Sequence, residues 1–254
     1  CIYKILVPHI MQKKISIIIP CLNEEKNITK IYIAIKKKFK EKNYEIIYVD
    51  DDSIDGTQKE ILKLNKTKNN VRYIFRKKDK DLSRAFIAGL NISKSRYIIL
   101  MDCDLQHDPE ILNKLYSAIK KRGTQCVSGS RFMKLSKNNT KKIKYVFRLI
   151  LSKILNYVIN FILRINLTDS LTGIFIVERK KFLKQKKRLY LNGYKIFLDF
   201  YTADMKGKYH HEIPIKLNER VYGESKLTST TLLNIAKLIL FKKFNLRVLR
   251  KPKF

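Results

Sequence analysis

The stretch "RYIILMDCDLQHDPE", Arg96 to Glu110, runs from an apolar, β-branched segment into acids at Asp102, Asp104 and Asp108 and then into Pro109. The apolar part reads as a buried strand, and Asp108 with Pro109 reads as the cap and first position of a helix. The unit is therefore strand, polar turn, helix. Neither element needs Asp102 or Asp104, and two bare carboxylates flanking one residue repel each other unless a cation lies between them.

The same rhythm extends outward. Further short apolar runs occur at 15–20 ("ISIIIP"), 44–50 ("YEIIYVD"), 71–75 ("VRYIF") and 125–130 ("QCVSGS"), alternating with helical periodicity near 24–40, 55–64, 82–94 and 109–121. This pattern predicts an α/β fold, a doubly wound and mostly parallel sheet with helices on both faces. Ligands of such sheets sit beyond the carboxyl ends of the strands. Three of those ends are polar: "PCLNE", "DDDSIDGT" and "DCDLQHD".

After about residue 132 the rhythm stops. Residues 141–167 are long and helical, with polar residues every fourth position from Lys144 to Arg164, and predict two consecutive amphipathic helices or one bent helix on a surface. Residues 232–254 form a second basic amphipathic segment. Such helices suit the interface of an anionic bilayer, packing on the protein's own core being the other reading. The longest uncharged apolar run, Ile154 to Leu163, is too short to span a membrane. The domain is placed at 14–227, including 141–167, with a C-terminal helix and tail at 228–254.

With 55 Lys and Arg against 22 acids, the formal charge of +33 favours anionic partners, although Lys enrichment throughout the chain is an alternative source. Four scattered cysteines exclude a zinc cage or a disulfide framework and fit a reducing compartment. "CIYKILVPHIMQKK" lacks the pattern of a signal peptide. A nucleic-acid-binding protein would use the charge but has no use for acidic strand ends, so no nucleic-acid partner is expected.

At 101–108, hard oxygen ligands on Asp102 and Asp104 with the Gln106 amide suit Mg²⁺ or Mn²⁺. A calcium loop fails because His107 stands where glycine is needed. Asp50 to Asp52 and Ser53 either cap the next helix or accept hydrogen bonds from a base or ribose. Asn23 and Glu24 have the same double reading. No glycine-rich phosphate loop is present, which disfavours NAD and P-loop nucleotides.

Taken in order, these motifs resemble the family 2 glycosyltransferases of GT-A fold. "GSR" (129–131), "DSLTGIF" (169–175) and "RVYGESKL" (220–227) look like its polyprenyl-phosphate branch, typified by dolichol-phosphate mannose synthase. The resemblance implies a nucleotide-sugar pocket at Pro20, Leu22, Glu24, Val49 and Asp51, and a metal and diphosphate site at Asp102, Cys103, Asp104 and Gln106. It implies that Arg131, Arg220 and Lys226 surround the phosphates, with Arg131 placed to meet a lipid phosphate. Asp52 stands where the family usually has glycine, Leu22 replaces a common tyrosine, Cys103 a common alanine, and "HDP" a common "HPP".

The implied reaction is inverting hexosyl transfer, mannose favoured, from a nucleoside diphosphate sugar to a polyprenyl phosphate, by an enzyme peripheral to the cytoplasmic membrane face. GDP-mannose is the favoured donor and UDP-glucose the next. A phosphate acceptor is already anionic at neutral pH, so no strong base is required; His107, His210 and His211 read as surface or supporting residues. A saccharide acceptor would instead need a carboxylate base, with Asp108 or Asp169 as candidates.

Overall fold

The structure, a computed structural model, describes residues 13–78, 80–133, 143–205, 209–218 and 229–244, with backbone only at 143–148, 204–205 and 229–230. Arg220, Lys226 and the "RVYGESKL" stretch lie outside the described residues. Seven strands form one sheet in the order β3-β2-β1-β4-β6-β5-β7. They are β1 (Ile15–Cys21), β2 (Tyr44–Asp50), β3 (Val71–Phe75), β4 (Tyr97–Leu100), β5 (Cys126–Ser130), β6 (Phe175–Glu178) and β7 (His210–Pro214).

Alternation along β1 shows why both faces are covered. Ile15, Ile17 and Ile19 pack with Ile28, Ile31 and Ile35 of α1 (Glu25–Lys38), Ile61 of α2 (Thr57–Thr67) and Leu112 and Leu115 of α4 (Ile111–Ile119). Ile18 faces the other layer, against Phe86 and Leu90 of α3 (Leu82–Ile92), Phe182 of α6 (Arg179–Gln185) and Phe197 of α7 (Ile196–Phe200). Strands buried on both sides read as continuous apolar runs for this reason. Gly89 lets α3 lie close on the sheet, since a Cβ there would stand 2.7 Å from Ile18 Cγ2.

The first five strands fall where the sequence predicts, and the helices shift at their ends. The second helix runs 57–67 and the fourth 111–119. Asp108 does not cap the fourth helix. Its Oδ1 accepts from the Glu110 N–H (2.9 Å), which makes 108–110 a turn, and Pro109 sits in that turn ahead of the helix.

The strands β6 and β7 were not expected. β6 lies between β4 and β5 and runs antiparallel to both. Its chain direction means that the residues before it, 169–173, reach the open end of the sheet, where the other strands deliver the residues that follow them.

Of the two expectations for this segment, a pair of helices or a single one, the structure has one helix, α5 (Ile143–Leu163), and its polar residues face the protein. Asn156 is buried and Asn160 half-buried, and both donate to the Leu167 carbonyl (3.0 and 2.7 Å). Asn156 Oδ1 also accepts from the Ser170 N–H at 2.7 Å. The polar stripe thus satisfies the backbone of the turn before β6, as buried polar groups require. Ile150, Leu151, Ile154, Tyr157, Val158 and Phe161 face outward instead. Helix α8 (Ser229–Phe244) packs beside α5 through Ile235, Leu238, Ile239 and Phe241, and leaves Leu232, Leu233, Leu240 and Phe244 exposed. No described helix is long and apolar enough to cross a membrane.

Candidate active site at the open end of the sheet

Each of the three polar loops after β1, β2 and β4 contains one residue in the left-handed region: Asn23 (φ 56°), Asp52 (φ 64°) and Leu105 (φ 59°). Asn and Asp tolerate that conformation and Leu does so at a cost of ~1–2 kcal/mol. The position that is usually glycine in the resembled family is Asp52, and its φ gives the reason for glycine. Here aspartate manages the turn while pairing with Lys80 at 2.8 Å.

The first two loops are stitched together. Asn23 N–H donates to Ser53 Oγ (2.8 Å), Ile54 N–H to Asn23 Oδ1 (3.0 Å), and Glu24 N–H to Thr57 Oγ1 (2.8 Å). Pro20, Leu22 and Glu24 are half-buried along this edge. Val49 is fully buried, its side chain in the core with Ile47 and Ile18, so any part it has in a pocket falls to its backbone. Asp50 is turned inward, accepting from Ser53 and from Gln58 Nε2 (2.7 Å). Asp51 is buried and its Oδ1 accepts from Arg76 Nη1 at 2.8 Å. Burial pushes its carboxyl up to about 7, against the lowering pull of Arg76. Arg76, which also donates to the Asp81 carbonyl, carried no signal in the sequence beyond its place after a strand.

Beyond β4, Asp104 is buried with Oδ1 accepting the Gln106 N–H (3.1 Å), and Asp102 is half-buried. Cys103 between them points down into the core against Cys21, so its side chain is turned away from the loop's outer surface. The Gln106 carbonyl accepts the Asn218 N–H (2.8 Å), and His107 bridges to Leu217. His107 is therefore buried, not at the surface: Nε2 lies 3.9 Å from Asp102 Oδ2, and burial lowers its pKa to about 4, leaving it neutral. His210 is half-buried, 2.8 Å from Ser128 Oγ, whereas His211 is exposed.

No three Asp, Glu, His or Cys side chains among the described residues gather into a metal cage. Mg²⁺ rarely asks for one, being held by one or two carboxylates with water and substrate phosphates completing the shell. Asp102, Asp104 and the Gln106 amide, hard oxygen donors on one turn, fit that chemistry.

Facing them is the turn before β6. Asp169 is fully buried and holds Arg131 through Nε (2.7 Å), Nη2 (2.8 Å) and the backbone N–H (3.1 Å). The Leu171 carbonyl accepts from Lys195 Nζ at 3.0 Å. At Gly173 an added Cβ would stand 2.7 Å from Asp102 Oδ2. The structure thus assembles Asp102, Asp104, Arg131 and Lys195 around one turn. Lys195 was missed by the sequence reading; its only mark is a charge heading a mostly apolar helix, "YKIFLDF". Neither candidate base is at liberty: Asp169 is clamped by Arg131, and Asp108 pairs with Lys38 at 2.6 Å.

A model of the family "Glycosyl transferase family 2" matches residues 16–184. A dolichol-phosphate mannosyltransferase of Pyrococcus furiosus is 34% identical over 224 residues, covering 86% of this chain and 60% of that protein. The Saccharomyces cerevisiae protein of the same description is 35% identical over 113 residues, 43% of this chain and 42% of that one. The chain thus spans about three fifths of the archaeal relative and less of the yeast one. Among solved structures, glucosyl-3-phosphoglycerate synthase from Mycobacterium tuberculosis, in complex with Mn²⁺, UDP-glucose and phosphoglyceric acid, superposes with a TM-score of 0.69 at 16% identity, covering 91% of this chain and 80% of that one.

Proposed function

The chain belongs to glycosyl transferase family 2 and has the GT-A fold, and from that premise we propose that it transfers a hexosyl group, mannose by preference, from a nucleoside diphosphate sugar to a polyprenyl phosphate at a membrane surface. The observation that carries the reading is the pairing of an acidic turn with cations where neither candidate carboxylate base, Asp108 or Asp169, is at liberty. Asp102 and Asp104 stand beside Arg131 and Lys195, and both carboxylates that a hydroxyl acceptor would need as a base are already held by cations. A phosphate monoester needs no such base, because it is a nucleophile as it stands.

Asp102, Asp104 and Gln106 would hold Mg²⁺ or Mn²⁺, which supplies charge neutralisation for the departing diphosphate. Arg131, fixed by Asp169, presents a guanidinium whose orientation is settled before substrate arrives, which is where electrostatic catalysis gains its advantage. Asp51, held by Arg76, and Glu24 border the donor's nucleoside side. Attack from the face opposite the diphosphate inverts the anomeric centre. The relative's description as a dolichol-phosphate mannosyltransferase supports mannose and a polyprenyl phosphate; GDP-mannose is the favoured donor and UDP-glucose the next.

The outward apolar stripe of α5, with the exposed apolar residues of α8, is the surface proposed to meet the bilayer at its cytoplasmic face. Burying one large apolar side chain is worth ~1.5–3 kcal/mol, so six on α5 alone supply enough for interfacial binding alongside attraction of the basic surface to anionic lipid.

The test incubates the protein with Mg²⁺ or Mn²⁺, a panel of GDP- and UDP-sugars and a short polyprenyl phosphate, and looks for glycolipid by mass spectrometry. A mannosyl lipid from GDP-mannose is expected, at a rate that rises when anionic vesicles are supplied. Transfer to a soluble saccharide with no lipid product from any donor would overturn the reading.

A further inference from the structure

Three alternate positions of the turn before β6 each receive a charged side chain from a different part of the chain. Asp169 receives Arg131 from the end of β5, the Leu171 carbonyl receives Lys195 from the loop before α7, and Gly173 makes room for Asp102 from the end of β4. Two of these side chains already have a part in the proposed reaction. Lys195 has none: its half-buried ammonium is partly stripped of water, and a single carbonyl takes only one of its three N–H donors.

Its surroundings do not restore the balance. Burial first and Arg131 second lower the Lys195 pKa to about 8, against the upward pull of Asp102 and Asp169. Asp169 is committed to Arg131 at 2.7 Å, and Asp102 stands against Gly173 on the acidic turn. When a divalent ion offsets Asp102 and Asp104, Arg131 and Lys195 carry positive charge in excess of the acids around them. A half-buried lysine that shares the nearby carboxylates with an arginine and a metal is suited to an anion brought by the substrate.

We propose that Lys195 is an anion-binding residue of this site, its ammonium anchored on the Leu171 carbonyl and contacting substrate phosphate oxygens beside Arg131. The inference rests on the transferase reading above and adds a phosphate contact to it. A lysine serving only to tie down the Leu171 carbonyl would matter to stability and not to phosphate.

The test compares Lys195→Met, which keeps the apolar stem, and Lys195→Arg, which keeps the charge, by titration calorimetry. One arm uses GDP and UDP with Mn²⁺; the other uses a short prenyl phosphate against the corresponding uncharged prenol. Lys195→Met is expected to weaken one phosphate ligand at least tenfold, with prenol binding unchanged, and Lys195→Arg to recover most of that loss. A loss confined to the prenyl phosphate assigns Lys195 to the acceptor, and one confined to the nucleotide assigns it to the donor. Both affinities within twofold of the parent, or a thermal midpoint that falls equally in the two variants with no selective loss, would overturn the proposal. A parent protein that binds these ligands but forms no glycolipid would sink the transferase reading alone.

Discussion

Asp104→Asn is expected to lower turnover about a thousandfold or more, the scale seen when a group that stabilises developing charge is removed. The substitution is chosen to leave the loop standing, because an asparagine Oδ1 can still accept the Gln106 N–H that Asp104 accepts at 3.1 Å. What it removes is the negative charge that would hold Mg²⁺ or Mn²⁺. The dependence of nucleotide affinity on added metal should flatten with it, while the circular dichroism and thermal midpoint stay close to those of the parent. Turnover within tenfold of the parent would remove the metal role assigned to Asp104.

Gly173→Ala is expected to cost about a hundredfold in turnover, the scale of a misplacement of about 1 Å in a positioned group. The new Cβ would stand 2.7 Å from Asp102 Oδ2 and 3.5 Å from its Cγ. The obstacle is the tip of a short, half-buried side chain, which can swing away, so the fold should survive and the carboxylate should be displaced. In an Asp102→Asn background the same alanine should add little, since both changes act on one group. Full additivity of the two losses, or a Gly173→Ala enzyme as active as the parent, would show that the glycine serves something other than the approach of Asp102.

The parallel half of the fold was legible because β1 to β5 are buried on both faces or bounded by turns, which leaves their apolar runs uninterrupted in the sequence. The acidic turn was legible for a related reason: Asp102 and Asp104 have no part in the strand or the helix on either side. Strand β6 was not, being four residues long and antiparallel, with its contribution to the site ahead of it. A search for polar residues after strands passes over such a turn, and "DSLTGIF" was noticed only through family resemblance. For α5 the spacing of polar residues was legible and the direction they face was not. Asn156 and Asn160 face inward to satisfy the carbonyls at 167 and 168, a demand that arises from chain far from the helix's own pattern. Lys195 and Arg76 are single basic residues in a chain rich in them, and only the fold sets them apart.

The outward apolar face of α5 has a colloidal consequence. In water without lipid, that stripe is a sticky patch on a particle of formal charge +33, and mutual repulsion is what keeps such particles apart. Added salt shortens the reach of repulsion from ~10 Å at 0.1 M to ~3 Å at 1 M and leaves apolar attraction intact. The isolated protein should therefore disperse in dilute buffer and cluster as sodium chloride rises, with detergent reversing the clustering. Light scattering across that range would report it, and particles that stay single at 1 M salt without detergent would show that the stripe does not drive association. The same charge that is proposed to draw the protein to an anionic surface would thus also keep its copies apart before they reach it.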